Sequence, residues 1–274
     1  NGIELALGYS NNWAGFGWSS NYTLSSNRNR INELVRNYVH PETGAVINKD
    51  RLDVGGLGNA HFILKEGGTL GDLYSLTDVK RDDKGRIYVD KNGKVYRNNN
   101  VGDVKLGSVF PKANMAWRND FSYKGFNLSV MVSARFGGIV YSATQAALDL
   151  YGVSEASAKA RDKGYVEVNG NDRLNPESWY STIGGSDGIP QFYTYSATNV
   201  RLQEASLSYT FKKNHFFGLG DLTLSVTGRN LLMFYCKAPF DPETTATTGN
   251  YYQGIDKFMT PSTRNIGFNI KLKF

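Results

Sequence analysis

The feature that most constrains this chain is an alternation of apolar and polar residues over unusually long stretches. The clearest stretch runs from Phe126 to Phe136, where every second residue is apolar and most of the others are polar. Successive side chains of a β-strand point to opposite faces, so the pattern predicts a strand with one apolar and one polar face. A strand of this length is about twice the usual 5–6 residues of soluble proteins.

The same pattern recurs along the chain and predicts an all-β fold with seven long strands. The predicted strands cover residues 3–9, 16–24, 115–123, 126–136, 200–211, 222–231 and 264–274. A change of apolar phase between Leu202 and Leu207 predicts a β-bulge near Glu204. Short turns are predicted at Ser10 to Asn12 and at Lys124-Gly125.

The connections between the predicted strands alternate in length. Three are short, and three are long loops that span approximately residues 27–114, 137–198 and 232–262. Aromatic residues gather beside the short turns and at the chain end: Tyr9, Trp13, Tyr123, Phe126, Phe211, Phe216, Phe217 and Phe274. Tilted strands that cross a bilayer need about 9–11 residues, and barrels of this kind carry short turns on one side and aromatic girdles. The sequence therefore predicts a transmembrane antiparallel β-barrel.

An odd number of strands does not complete such a barrel, because single-chain bacterial barrels have an even number and leave no free edge. We therefore expect further strands upstream and interpret the chain as the C-terminal portion of a larger barrel. The polar face would line a hydrated lumen. The residues predicted to face it are Ser129, Ser133, Arg135, Asn269 and Lys271.

Other classes of protein are not supported by the sequence. There is no run of eighteen apolar residues, the single cysteine is Cys236, and the three histidines lack the spacing of metal ligands. The net charge of +6 is mild and not clustered, so no nucleic-acid partner is predicted. No signal peptide is expected at the first residues, and Asn1 is expected to be a cut end. We predict no catalytic residue, no metal and no cofactor, since no motif of those classes occurs.

The long loops carry local structure of their own. Residues 86–96 read as a β-hairpin around Asp90 and Asn92. These two residues also suggest calcium, but the spacing of an EF-hand loop is lacking, so turn chemistry is the preferred interpretation. Helices are predicted from Ser142 to Tyr151 and, after the N-cap Ser154, over residues 155–163.

The loops also contain candidate substrate-binding residues, because aromatic rings and carboxylates can stack on and hydrogen-bond a sugar or a peptide. The candidates are Trp179, Tyr180, Tyr193, Tyr195, Phe240, Asp241, Tyr251 and Tyr252. Each of them could instead pack the loops on one another. Two other functions stay open on the residues alone: a soluble or surface β-rich glycan-binding module without transport, and a hydrolase that acts through Asp241 and Glu243.

Several motifs in a fixed order resemble the C-terminal part of SusC/RagA-type TonB-dependent outer-membrane transporters. They are Asn1-Gly2-Ile3-Glu4-Leu5, Phe110-Pro111-Lys112, Tyr123-Lys124-Gly125-Phe126-Asn127-Leu128-Ser129-Val130, Gly137-Gly138-Ile139-Val140-Tyr141, Gly152-Val153-Ser154, Val200 to Tyr209, Gly228-Arg229-Asn230-Leu231 and Phe240-Asp241-Pro242-Glu243. Each motif is modest, whereas their order and spacing are specific. The terminal Phe274 resembles the outer-membrane sorting signal that the barrel-assembly machinery reads.

The resemblance implies a 22-stranded barrel in the outer membrane of a Gram-negative bacterium, with a periplasmic C-terminus. It implies a plug domain upstream of this chain, energy from the TonB complex, and a SusD-like surface lipoprotein as partner. The implied substrates are oligosaccharides or peptides, and the implied surroundings are outer-membrane lipid.

Overall fold

The computed structural model describes residues 1–212, 220–247, 249 and 252–274. In chain order the strands are β1 (Gly2–Trp13), β2 (Phe16–Asn27), β3 (Val35–Val39), β4 (Val46–Lys49), β5 (Arg51–Leu57), β6 (Ala60–Lys65), β7 (Asp72–Ser75), β8 (Asp78–Val79), β9 (Arg97–Asn98), β10 (Val104–Ser108), β11 (Ala113–Tyr123), β12 (Phe126–Phe136), β13 (Ile139–Ser142), β14 (Val166–Val168), β15 (Asp172–Leu174), β16 (Thr194–Ser196), β17 (Asn199–Phe211), β18 (Asp221–Cys236), β19 (Ile255–Asp256) and β20 (Asn265–Lys273). The helices are α1 (Ala143–Leu150), α2 (Glu155–Lys163) and α3 (Pro176–Ile183), with a 3₁₀ turn at Pro190–Tyr193.

Seven long strands form one sheet, in the order β1-β2-β11-β12-β17-β18-β20. All neighbours in this long sheet pair antiparallel, and each strand lies beside the next long strand of the chain. The all-β prediction is confirmed. So is the predicted bulge, because the register of β12 with β17 slips at Glu204 and leaves Gln203 without a partner position.

The described short turns have the geometry that two-residue hairpins need. Lys124 and Gly125 have φ values of 44° and 89°, and Ala14 and Gly15 have values of 48° and 87°. Positive φ at both central residues gives a turn whose twist matches that of the flanking strands. The third short connection lies mostly outside the described residues, as do Phe216 and Phe217 of the predicted aromatic group.

Two predicted boundaries in the long sheet are wrong. The first turn is at Ala14-Gly15 and not at Ser10 to Asn12, where the chain stays paired and Asn11 lies opposite Trp18. Asn11 misled the prediction, because it is a polar residue at a position where the alternation calls for an apolar one. The sixth strand continues past Leu231 to Cys236, and its pairing with β17 is interrupted at the bulge beside Glu204 and once more between Val200 and Arg201.

The three long loops fold together into a loop assembly with its own hydrophobic core. Smaller sheets contribute to it: β10-β7-β6-β5, β16-β13-β19, and the pairs β3-β4, β8-β9 and β14-β15. The core joins Phe62 and Leu73 of the first loop, Tyr141 and Trp179 of the second and Ile255 of the third. These loops therefore pack as a folded unit at one end of the long sheet.

The helices of the second loop lie close to their predicted positions. The side chain of Ser142 caps α1 by accepting from the Gln145 amide, and Ser154 caps α2 by accepting from the Ser157 amide. Gly164 ends α2 in the left-handed conformation, as expected of a glycine at a helix C-terminus. Among the described residues, no helix has the length and apolar character needed to cross a bilayer.

Candidate functional site

The long sheet has two chemically different faces. Its register places the five predicted lumen residues on one face, because Asn269 pairs with Ser225, Ser225 with Ser208 and Ser208 with Asn127. Every second residue of a strand shares a face, so Ser129, Ser133 and Arg135 lie on the side of Asn127, and Lys271 lies on the side of Asn269. The opposite face carries large apolar side chains that are exposed along the sheet, including Ile3, Leu5, Leu7, Leu128, Leu207, Val226, Phe268 and Ile270. Exposed apolar rows of this extent are typical of a surface that meets lipid or protein.

Aromatic rings cluster on the apolar face at its short-turn end. Trp18 stacks against Phe121 with ring centroids 6.5 Å apart, and Phe126 lies 4.5 Å from Tyr209. Two polar side chains on this face accept hydrogen bonds from tryptophan indole N–H groups: Asn119 accepts from Trp18, and Ser20 accepts from Trp117. Such a group of rings suits the boundary between lipid and water.

A row of charges crosses the polar face at mid-height, and the sequence predictions did not include it. Arg118 contacts Asp120 at 3.1 Å, and Arg229 contacts Glu204 at the same distance. Arg118 also lies 3.9 Å from Glu204. The sequence could have predicted this row, because its residues lie at polar positions of the apolar–polar alternation in β11, β17 and β18.

A buried ion pair lies where the long sheet meets the third loop. Both terminal nitrogens of Arg201 donate to the carboxylate of Asp241, at 2.7 and 2.9 Å. Asn199 and Asn230 accept from the same guanidinium, and Glu243 lies 3.5 Å from it. Burial alone would raise the pKa of the Asp241 carboxyl, but the bonds from Arg201 and from the Glu243 amide outweigh it and hold that pKa below its usual value.

This cluster brings together three motifs that are distant in sequence: the strand with Arg201, the segment with Asn230, and the segment with Asp241 and Glu243. Its bidentate geometry suits a structural anchor. Because both carboxylate oxygens of Asp241 accept hydrogen bonds from Arg201, this carboxylate is not free to contact a substrate in the present arrangement. Its predicted role in binding stays a prediction.

Two predicted substrate residues of the second loop lie in the hydrophobic core. Trp179 packs edge-on against Phe192 with ring centroids 5.2 Å apart, and Tyr193 is almost completely buried. Burial raises the pKa of the Tyr193 hydroxyl above its usual range. Both residues pack the loops together in this structure, which was the alternative interpretation of the loop aromatics.

Two of the other candidates contact each other, since Tyr195 packs edge-on against Phe240. Tyr252 packs edge-on against Phe62 of the loop core. Tyr180 borders a depression of about 290 Å³ that is also lined by Asp149, Arg161 and Glu177. Tyr251 lies outside the described residues.

The terminal residue Phe274 is 94% exposed at the end of the last strand. Its side chain continues the apolar row of Phe268 and Ile270 on β20, since every second residue shares a face. This position is compatible with recognition by another protein, and its role as a sorting signal stays a prediction.

The suspected calcium loop is a turn whose acceptors are already used. Asp90 accepts from the backbone amides of Asn92 and Lys94, both at 2.8 Å, and from the Tyr96 hydroxyl at 2.7 Å. Val89 pairs with Val95 in one isolated bridge, and Ile87 pairs in another with Arg81 outside the segment. Residues 86–96 therefore form a tight turn closed by one bridge instead of the predicted hairpin ladder. Within the described ranges, no three His, Cys, Asp or Glu side chains are grouped as metal ligands.

Comparisons with known proteins agree with this architecture. No family model matches the chain. Two curated proteins of Formosa agariphila are similar to 94% of it: TonB-dependent receptor P3, at 24% identity, and TonB-dependent receptor P26, at 26% identity. The chain spans 27% of the length of each relative. Both relatives are described as receptors and not as enzymes.

Solved structures show the same fold. The structure of the RagAB peptide importer in its open-open state aligns with 100% of this chain, and the aligned part is 28% of the RagAB chain. The TM-score is 0.64 and the sequence identity is 18%. The structure described as the RagAB peptide transporter matches with a TM-score of 0.60 and 16% identity. The chain is thus similar to one section of TonB-dependent receptors and has the fold of the corresponding section of RagAB.

Proposed function

We propose that this chain is a section of the wall of an outer-membrane importer of the TonB-dependent, SusC/RagA type. The observation that carries the proposal is the two-faced long sheet, in which apolar rows stay exposed on one side while serine, asparagine and charged residues cover the other. In a bilayer every backbone polar group must be paired, and antiparallel strands of this length meet that requirement when a barrel closes.

The proposed arrangement has the apolar face in lipid, the polar face along a hydrated lumen, the short turns and the C-terminus in the periplasm, and the loop assembly outside the cell. Import would be energised by TonB through an upstream plug. A SusD-like lipoprotein would sit on the loop assembly and hand over an oligosaccharide or a peptide. The peptide importer RagAB supports this partnership by its similar fold.

Two rival functions fit the structure less well. A soluble glycan-binding module would leave the apolar rows of the long sheet in water, which is unfavourable by about 25 cal/mol for each Å². A hydrolase that acts through Asp241 and Glu243 conflicts with the contacts of both carboxylates to Arg201. The described relatives are receptors, so we do not retain the hydrolase.

The test is cysteine accessibility in the full-length receptor that carries this chain. With Cys236→Ser as the background, Ser129→Cys and Asn269→Cys receptors in isolated outer membranes should react with a water-soluble maleimide. Neighbouring cysteines at Val130 and Ile270 should be protected, because lipid covers them. Equal labelling of both faces would contradict the barrel-wall proposal.

A further inference from the structure

An eight-residue repeat in the first loop is not explained by the import function. It covers residues 79–86, 87–94 and 95–102. The first position of each unit is apolar and packs into or against the loop core: Val79, Ile87 and Val95. The second position is occupied by Lys80, Tyr88 and Tyr96, and the fourth by Asp82, Asp90 and Asn98.

The fourth position gives each unit the same turn. The side chains of Asp82, Asp90 and Asn98 accept from the backbone amide two residues further on, at 2.9, 2.8 and 3.0 Å. This is the geometry of an Asx turn, which reverses the chain locally. Because the turn recurs every eight residues, side chains at equivalent positions return to the same side.

The repeat therefore builds a ladder from its second positions, Lys80, Tyr88 and Tyr96. The ammonium of Lys80 lies 4.6 Å from the centroid of the Tyr88 ring, and the Tyr88 and Tyr96 centroids are 6.4 Å apart. Both tyrosines are 37% exposed, whereas Trp179 and Tyr193 of the second loop are buried. The ladder thus presents two aromatic rings to solvent.

The ladder borders an open depression of about 600 Å³ with a positive lining. Lys80, Lys91 and Arg97 line it together with Tyr88, Asp90, Asn92 and Tyr96. No carboxylate among residues 1–212, 220–247, 249 and 252–274 forms an ion pair with those three cations.

The one acid in the lining, Asp90, is engaged within the turn. Its carboxylate accepts from the Tyr96 hydroxyl and from the amides of Lys94 and Asn92, and these bonds lower its pKa. The Asp90 charge is therefore held by the turn itself. A ligand in the depression would still meet a net positive charge, because Lys80, Lys91 and Arg97 outnumber the Asp90 carboxylate, and it would lie beside two tyrosine rings.

We propose that this tyrosine-lysine ladder binds an acidic oligosaccharide, one that carries carboxylate or sulfate groups. The C–H faces of successive sugar rings would pack on Tyr88 and Tyr96, and the acidic groups would pair with Lys80, Lys91 and Arg97. An acidic peptide would use the cations but gain little from two exposed rings, so the saccharide is the better match. The inference rests on the proposed function only for the exposure of the loops to the outside of the cell.

The test is calorimetric binding to the full-length receptor in detergent. The probes are hexameric oligogalacturonate, its fully methyl-esterified form and a hexa-aspartate peptide. We expect the acidic hexasaccharide to bind, the neutral ester to bind at least about tenfold more weakly, and the affinity to fall with added salt, as attraction between exposed charges does. The double variants Tyr88→Ala/Tyr96→Ala and Lys80→Ala/Lys91→Ala should each weaken binding by about tenfold or more.

Matched controls come from the β3-β4 hairpin of the same loop. Tyr38→Ala and Lys49→Ala remove an exposed tyrosine and an exposed lysine outside the ladder, and they should leave the affinity unchanged. The proposal is wrong if the acidic hexasaccharide does not bind, or if ladder and control variants behave alike. Binding of hexa-aspartate that ignores the tyrosine substitutions would mark an acidic-peptide surface instead. A negative calorimetric result would not change the cysteine-labelling result. The ladder proposal and the barrel-wall proposal can therefore be rejected independently.

Discussion

In the long sheet the large apolar side chains face outward, whereas in the loop assembly they face inward. Among the described residues, every buried apolar side chain lies outside the seven long strands. Phe268 on β20 is 80% exposed, while Phe62 on β6 is completely buried. The loop assembly is thus built like a soluble domain, and the sheet is built for a solvent that is itself apolar.

This difference teaches that the two regions are stabilised by different surroundings. The loops gain from removing their own apolar surface from water. The sheet has no core within this chain and depends on paired backbone groups and on what covers its faces. A substitution should therefore affect one region without the other, and each prediction below exploits this separation.

The largest effect is expected from Phe62→Ala in the loop core. Removing a buried phenylalanine side chain leaves a cavity and costs about 3–5 kcal/mol. We expect amide hydrogen exchange to accelerate in β6 and β7 while the amides of β12 keep their protection. Phe268→Ala is the matched control, because it removes the same side chain from an exposed position and should leave loop exchange unchanged. Parallel acceleration in the strands would mean that sheet and loops unfold as one unit.

A smaller effect is expected from Val132→Lys, which tests the sheet alone. Val132 lies near the middle of β12 on the apolar face, and a lysine facing lipid near the midplane costs about 2–4 kcal/mol. Urea titration of the full-length receptor folded into lipid vesicles should report this loss. Ser133→Lys places the same charge on the polar face of the same strand and should be tolerated. If both substitutions cost the same, the assignment of the two faces is wrong.

The sequence predicted the sheet well because its faces follow from a local rule. A period of two residues assigns a side to each residue from Phe126 to Phe136, and the phase change at Glu204 marks the bulge. The rule failed at Asn11, a polar residue in the apolar phase. The true turn at Ala14-Gly15 lacks the residues that usually announce a hairpin.

The loop assembly was harder to predict because burial there depends on segments that are distant in the chain. Trp179 is covered by residues from other parts of the three loops, and nothing near it in sequence predicts that cover. The ion pair of Arg201 with Asp241 was hard to predict for the same reason, since forty positions of the chain separate the two residues. By contrast, the repeat at Val79, Ile87 and Val95 could have been found from its period.

The smallest effect concerns the contact between the two regions, the pair of Arg201 with Asp241. The pKa of Asp241 is lower in the folded protein than in the unfolded chain. Its contribution to stability is therefore complete above about pH 4, the ordinary value for an aspartate, and is lost as the pH falls through the lower folded pKa. The loss is limited because Asn199 and Asn230 also accept from the guanidinium of Arg201, and these neutral partners do not change with pH.

Acid below about pH 4 should therefore loosen the third loop before it affects the long sheet. Amide hydrogen exchange of the full-length receptor, measured at each pH and scaled by the intrinsic exchange rate at that pH, should lose protection in residues 241–246 and in β19 while β12 keeps its protection. Asp241→Asn should already show the reduced protection at neutral pH and change little with acid, since it cannot lose the charge that the wild type loses. An acid-induced loss of protection of equal size in this variant would show that other groups hold the loop, and that Arg201 and Asp241 do not couple the two regions.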